Sequence, residues 1–439
     1  MYIYYSFKPM PSVIKIIVFS FIGFHLFGNA TVSREPEFVR QECSDDHIKT
    51  ILFYRSNQEL SLPVLFHQED EKLTLRFDYI GEPEENYSYS VTACSYDWKL
   101  NEISDHLYLD GFNDNLVENS YSSFNTTKYY KHYMTEVPSP DMEILVSGNY
   151  ILRVYESSDP RHIIFTRKFC IAETEADIQA TVKKPDHQNQ ELNIEIDPGK
   201  LGLVNPMQEI KVVVIKNNDW NNKVDIAFKP VLRDNKLYFD LPYQLITGGV
   251  NEFRYFDIKS IKYVSDRVDS IRYLSPETHF YVKHDELRQF TPYFSSTDLN
   301  GLFYIDMPDA YNRHTESDYV HVHFTLKAPR IPGMNVFIYG ALTGWKTDKS
   351  NCMNYNTQRG EYKKSLFLKQ GYYNYAYCTV NEGSKEISFD LTEGNHSEAE
   401  NDYAIFVYLC QPMSDFDRLI GYRIINSAGK EPVTANPDE

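Results

Sequence analysis

The chain has 439 residues, of which 44 are Lys or Arg and 62 are Asp or Glu, for a net charge of -18. That balance excludes nucleic acid and anionic lipid as main partners, because both need clustered Lys and Arg to displace counterions. The 35 Tyr and 27 Phe suit pleated, half-buried surfaces and point to an all-β protein, while the length requires several cores rather than one.

At the N-terminus, Lys8 and Lys15 precede an apolar run from Ile16 to Phe27, no acid occurs before Glu35, and Gly28-Asn29-Ala30 offers small residues for cleavage. As a helix the run would span roughly 18 Å against about 30 Å of hydrocarbon, so residues 1–30 read as a signal peptide rather than an anchor. The exported part would carry -20, since the segment contains two Lys and no acid.

Short strand-like runs then recur between turns, the spacing of immunoglobulin-like or early-set sandwiches, and three such domains are expected in series. The first spans 31–173. In its KLTLRFDYI segment, Leu73, Leu75, Phe77 and Tyr79 alternate with Thr74, Arg76 and Asp78. A Tyr, Ser and Asn-rich connection from Asp110 to Tyr129 reads as a contact loop. The polar passage after Glu173 opens a second domain, 174–290. Its run Ile210, Val212, Val213, Val214, Ile215 is apolar on both faces and reads as a central strand covered on both sides. Asn205-Pro206 and Asn217-Asn218-Asp219-Trp220 supply turn chemistry at its ends. A third domain, 291–427, precedes a polar tail, 428–439, expected to fray. Charges break most strands, so a lipid-facing barrel is not expected.

No nucleophile elbow, phosphate loop, zinc signature or EF-hand occurs, so neither an enzyme nor a cofactor is expected. His321 and His323 share a strand face with Tyr319 and Thr325, which reads as an exposed polar face rather than a metal site. The acids of EGNHSEAENDY read as a solvated loop. The six Cys have no Cys-x-x-Cys spacing, and Cys378 in its apolar strand reads as a buried free thiol.

Two resemblances add to this reading. The segment from Asn335 to Cys378, with its strand, Gly, short turn ending in Trp345, and Gly-x-Tyr strand, resembles the carbohydrate-binding domain of starch-branching enzymes and of the glycogen-binding subunit of AMP-activated kinase. Trp345 matches that family's first sugar-stacking Trp, but Ala376 stands where the family has Lys and no second Trp follows. The ordered segments LGLVNPMQEIKVVVIKNNDWNN, GGVNEFRYFDIKSIKYVSDRV, TESDYVHVHFTL, VFIYGALTGW, GYYNYAY, EGNHSEAENDYAIFVY and DRLIGYRIIN resemble the plug proteins of the type IX secretion system. That resemblance implies an exported periplasmic protein that binds a large outer-membrane translocon barrel and closes it, without catalysis or membrane insertion of its own. A glycan is the other expected ligand. Asn205, Pro206, Trp220, Trp345 and Tyr375 are the candidate partner or glycan contacts.

Overall fold

Alternation of apolar and polar side chains builds the first sandwich. The strand Leu73–Ile80 turns Leu73, Leu75 and Phe77 into a core and Thr74, Arg76 and Asp78 the other way. It lies between Ile48–Arg55 and Tyr130–Val137, with Asn119–Ser122 beyond. The facing sheet orders Val64–Phe66, Asp159–Ala172, Gly148–Glu156, Tyr87–Cys94 and Asn115–Leu116. These elements come from a computed structural model that describes residues 43–434 except 68, 84–85, 102, 222, 225, 227–228 and 241–245; the expected signal segment lies outside the described residues.

The chain is all-β, but its strands do not follow three serial blocks. Ile210–Lys216 pairs along its whole length with Asp402–Leu409, which pairs with Arg418–Asn426. These strands, with Lys223–Val224, face a sheet of Asp177–Lys183, Asn189–Asp197, Ile246–Gly248, Lys236–Phe239 and Val231–Arg233 across a core of Ile178, Ile194, Leu237, Val214, Ile405 and Val407. The strands between Arg254 and Ser388 form the two sheets of another sandwich, centred on Phe256, Val322, Phe324, Ile338, Tyr373 and Tyr375. The boundary expected at 290 is therefore corrected: one sandwich is inserted into a loop of another. Strand patterns show which face is buried but not which distant strand completes the sheet.

The Val-Ile strand is covered on both faces, as its composition predicts. Ile210 and Val214 enter the core of its own sandwich, while Val213 and Ile215 join Ala404, Phe406, Tyr408 and Leu419 against Val64, Ile151, Cys170 and Trp98 of the first sandwich. The contact loop predicted at 110–129 instead holds short strands, among them Leu109–Gly111 and Asn119–Ser122. Its end is tied down where Thr127 donates to Asp318 at 2.6 and 2.8 Å. The tail does not fray at 428: Val433 donates to Asp402 at 3.0 Å and Leu60 to the Thr434 carbonyl at 3.1 Å. All six cysteines are free thiols; burial pushes Cys94 up to about 12. Among the described residues no helix is long and apolar enough to cross a membrane.

Candidate functional site

The turn after the Val-Ile strand joins all three sandwiches. Asn217 and Asn218 take positive φ of 52° and 60°, a conformation that Asn tolerates better than most residues. The turn then meets a different partner at each position. The Asn217 side chain donates to Asn401 at 2.8 Å and accepts from the Asp402 N–H at 2.9 Å. Asn218 donates to the Leu60 carbonyl at 3.1 Å, Asp219 accepts from the Tyr339 hydroxyl, and Asn221 donates to the Trp345 carbonyl at 3.1 Å.

Beside this turn opens a cleft of about 350 Å³ lined by all three sandwiches. One wall is the strand Ile48–Arg55. The opposite walls carry Trp220 and Trp345. Four cations line the cleft, Lys49, Arg167, Lys168 and Lys346, against one acid, Glu59, although the chain as a whole is strongly acidic. Glu59 is itself joined to Arg313 at 2.9 Å. The Lys168 ammonium sits 4.7 Å over the Trp98 ring. Arg167 donates to the Thr166 carbonyl at 2.7 Å and lies 5.3 Å over Phe165. Burial strips water from its guanidinium and lowers it to about 10. Among the described residues no carboxylate pairs with it. Three non-glycine lining residues, Thr50, Asn218 and Trp345, hold positive φ. For a β-branched Thr this is a clear outlier, and such strain gathers at functional sites.

The structure brings two of the five predicted contacts together here. Trp220 is half-buried, edge-on to Trp98 with ring centres 5.2 Å apart and 5.5 Å from Phe406. Trp345 packs on Tyr339 at 5.4 Å and Phe253 at 6.1 Å. Only Gly fits beneath it at 301, where a Cβ would lie 2.5 Å from the indole. Asn205 and Pro206 lie apart, at the other end of the Val-Ile strand, where Asn205 precedes the short helix Pro206–Glu209 and Glu209 accepts from its N–H at 3.1 Å. Tyr375 is corrected: it is 0% exposed and donates to Asp285 at 2.6 Å, so it reaches no partner. A strand with both faces covered hides its tyrosines whichever way they point. Sequence reasoning missed Arg167 and the Ile48–Arg55 wall. The Asn-Asn turn was the legible signal.

His321 and His323 do share an outward face, and the parallel strand Glu277–Val282 sets His279 beside them. The rings of His279 and His321 are stacked at 4.9 Å and 15°, and those of His279 and His323 at 5.2 Å and 17°. The Nδ1 of His279 and the Nε2 of His323 meet at 2.9 Å, so these two ring nitrogens satisfy each other. Among the described residues no group of His, Cys, Asp or Glu is arranged for a metal.

Fold and site thus define a braced stack of β-sheets with an interdomain cleft. Residues 48–173 match the family described as type 9 secretion system plug protein 1st domain, so this part of the chain is a plug-family first domain. Its role is accordingly related to type IX secretion, and the family is one of exported, envelope-associated proteins. A crystal structure of a hypothetical protein from Parabacteroides merdae ATCC 43184 superimposes with a TM-score of 0.84 at 29% identity, covering 88% of this chain and 98% of that one. No curated protein matches.

Proposed function

We propose that this protein is a non-enzymatic periplasmic plug that binds the outer-membrane translocon of the type IX system and closes its channel. The match over residues 48–173 carries this reading. The architecture supports it, because a stopper must keep its shape against another protein. Here one sheet is buried on both faces, and a buried ion pair, Lys369 to Asp78 at 2.5 Å, ties the inserted sandwich to the first. Crosslinking in intact cells followed by purification of this chain should recover a very large outer-membrane barrel protein. Deleting the chain should make the outer membrane leaky to large solutes. Recovery without the barrel, or unchanged permeability in cells with the channel otherwise intact, rejects channel closure.

A second reading, an exported glycan-binding accessory protein, is favoured by one observation, the placement of Trp220 and Trp345 on a single cleft. Calorimetry with malto-oligosaccharides tests it: heat that disappears in Trp345→Ala supports glycan binding, and no heat with the unaltered chain rejects it.

A further inference from the structure

Three features coincide at the cleft. The strand Ile48–Arg55 is an edge strand, paired only with Leu73–Ile80. The pairing shifts register between Lys49 and Leu52. Among the described residues, no backbone hydrogen bond of residues 49–54 leads anywhere but to that neighbour. Every residue from Ile48 to Tyr54 lines the cleft, so the free edge of the sheet faces into it. An edge strand presents alternate N–H and C=O groups that an incoming extended chain can complete.

The surroundings select what that chain carries. Arg167 lines the same cleft, with a carbonyl oxygen and a ring face as its partners. A guanidinium walled in without an anion is poorly compensated, and its planar fork suits a carboxylate. Lys49, Lys168 and Lys346 add to the same positive field. A neutral sugar would leave the Arg167 guanidinium without an anion, and a free anion would leave the sheet edge unanswered.

We propose that the cleft is a docking site for an extended acidic segment of a partner protein, which adds as a strand to the edge of Ile48–Arg55 and places carboxylates against Arg167. This binding is separable from channel closure, which is read in whole cells, so either can fail without the other.

The test is calorimetry on the purified chain with a short peptide of alternating Glu and Thr. The same peptide with Lys in place of Glu should bind at least about tenfold more weakly, as should a version N-methylated at alternate backbone amides. Arg167→Gln should weaken the Glu peptide at least about tenfold while leaving the melting temperature of the chain within a few degrees. The N-methylated peptide keeps the test independent of any folding defect in that variant. Equal binding of the Glu and Lys peptides overturns the charge selection, and indifference to N-methylation overturns strand addition. Displacement of the peptide by inorganic phosphate or malto-oligosaccharide at equal concentration reduces the site to an anion or sugar pocket. Absence of binding by the Glu peptide rejects the proposal outright.

Discussion

The first sandwich meets its two neighbours through seams of different character, although Leu52 and Tyr54 add apolar contact to the core of the inserted sandwich. Against the inserted sandwich it offers Asp78, 0% exposed, which accepts from Lys369 at 2.5 Å, the Tyr319 hydroxyl at 2.7 Å and His132 at 2.6 Å. Lys369 also lies 4.2 Å over the Tyr130 ring and donates to the His314 carbonyl at 2.6 Å. Against the other sandwich it offers Val64, Ile151, Cys170 and Trp98, which pack on Ile215, Phe406, Tyr408 and Leu419. An apolar seam stabilises many nearly equivalent dockings, since burial is non-directional. A buried ion pair adds little net stability, but a misplaced charge is expensive, so it penalises every register but one. Both seams supply adhesion, and the one around Asp78 adds alignment.

The largest test of this contrast is Asp78→Asn. It leaves Lys369 buried beside a neutral partner and should lower unfolding free energy by about 3–5 kcal/mol in urea titrations. A double change, Asp78→Leu with Lys369→Met, should recover most of that loss. If it does not, the pair contributes adhesion as well.

Lys216 sharpens the comparison, because it is a second buried lysine and, among the described residues, donates only to the Gly248 carbonyl at 2.6 Å. Burial lowers it to about 7. Its folded pKa lies below the unfolded value, so between about pH 7 and 10.5 the unfolded chain binds the extra proton and this group's contribution to stability rises with pH. Lys216→Met should therefore stabilise the chain by about 2–4 kcal/mol at pH 6, a gain that thermal melts should show fading towards pH 10.5. Equal gains at both pH values would mean that desolvation of the ammonium is not the cause.

Glu393 gives a smaller, acid-side test. Burial pushes it up, but Arg254 and Arg288, at 3.0 and 2.7 Å, hold it down to about 2. Its contribution is full above about pH 4.5 and is lost as pH falls through 2, so Glu393→Gln should flatten acid denaturation in that window. The smallest effect is expected on the apolar seam. Phe406→Leu should cost about 1–2 kcal/mol, with no change in which residues crosslink across the seam, because its packing can relax.

The faces of individual strands were readable because burial writes a period of two into the sequence: Leu73, Leu75 and Phe77 turn inward as their alternation says. The both-face burial of Ile210–Lys216 was readable for the same reason. Pairing over long distances was not. Nothing local to Val214 names Ile405 as its partner, so the insertion passed for a serial order. The cleft was half legible. Asn217-Asn218 announced a turn and Trp220 and Trp345 announced contact surface, but Arg167 and Lys168, side by side in a strand, carry no sign that they share a cleft with an open sheet edge. Tyr375 misled because its strand belongs to the interior on both sides.

The insertion also sets an order of events as the polypeptide matures. Asn217 and Asn401 bond to each other although they are 184 positions apart, and every residue between them must emerge before the sheet holding Val214 and Ile405 can zip shut. Contacts at such separations form slowly, because a long loop must close first. The middle sandwich should be the last to consolidate, and until it does the apolar back of the first sandwich, with Val64, Ile151, Cys170 and Trp98, stands open to chaperones and proteases alike.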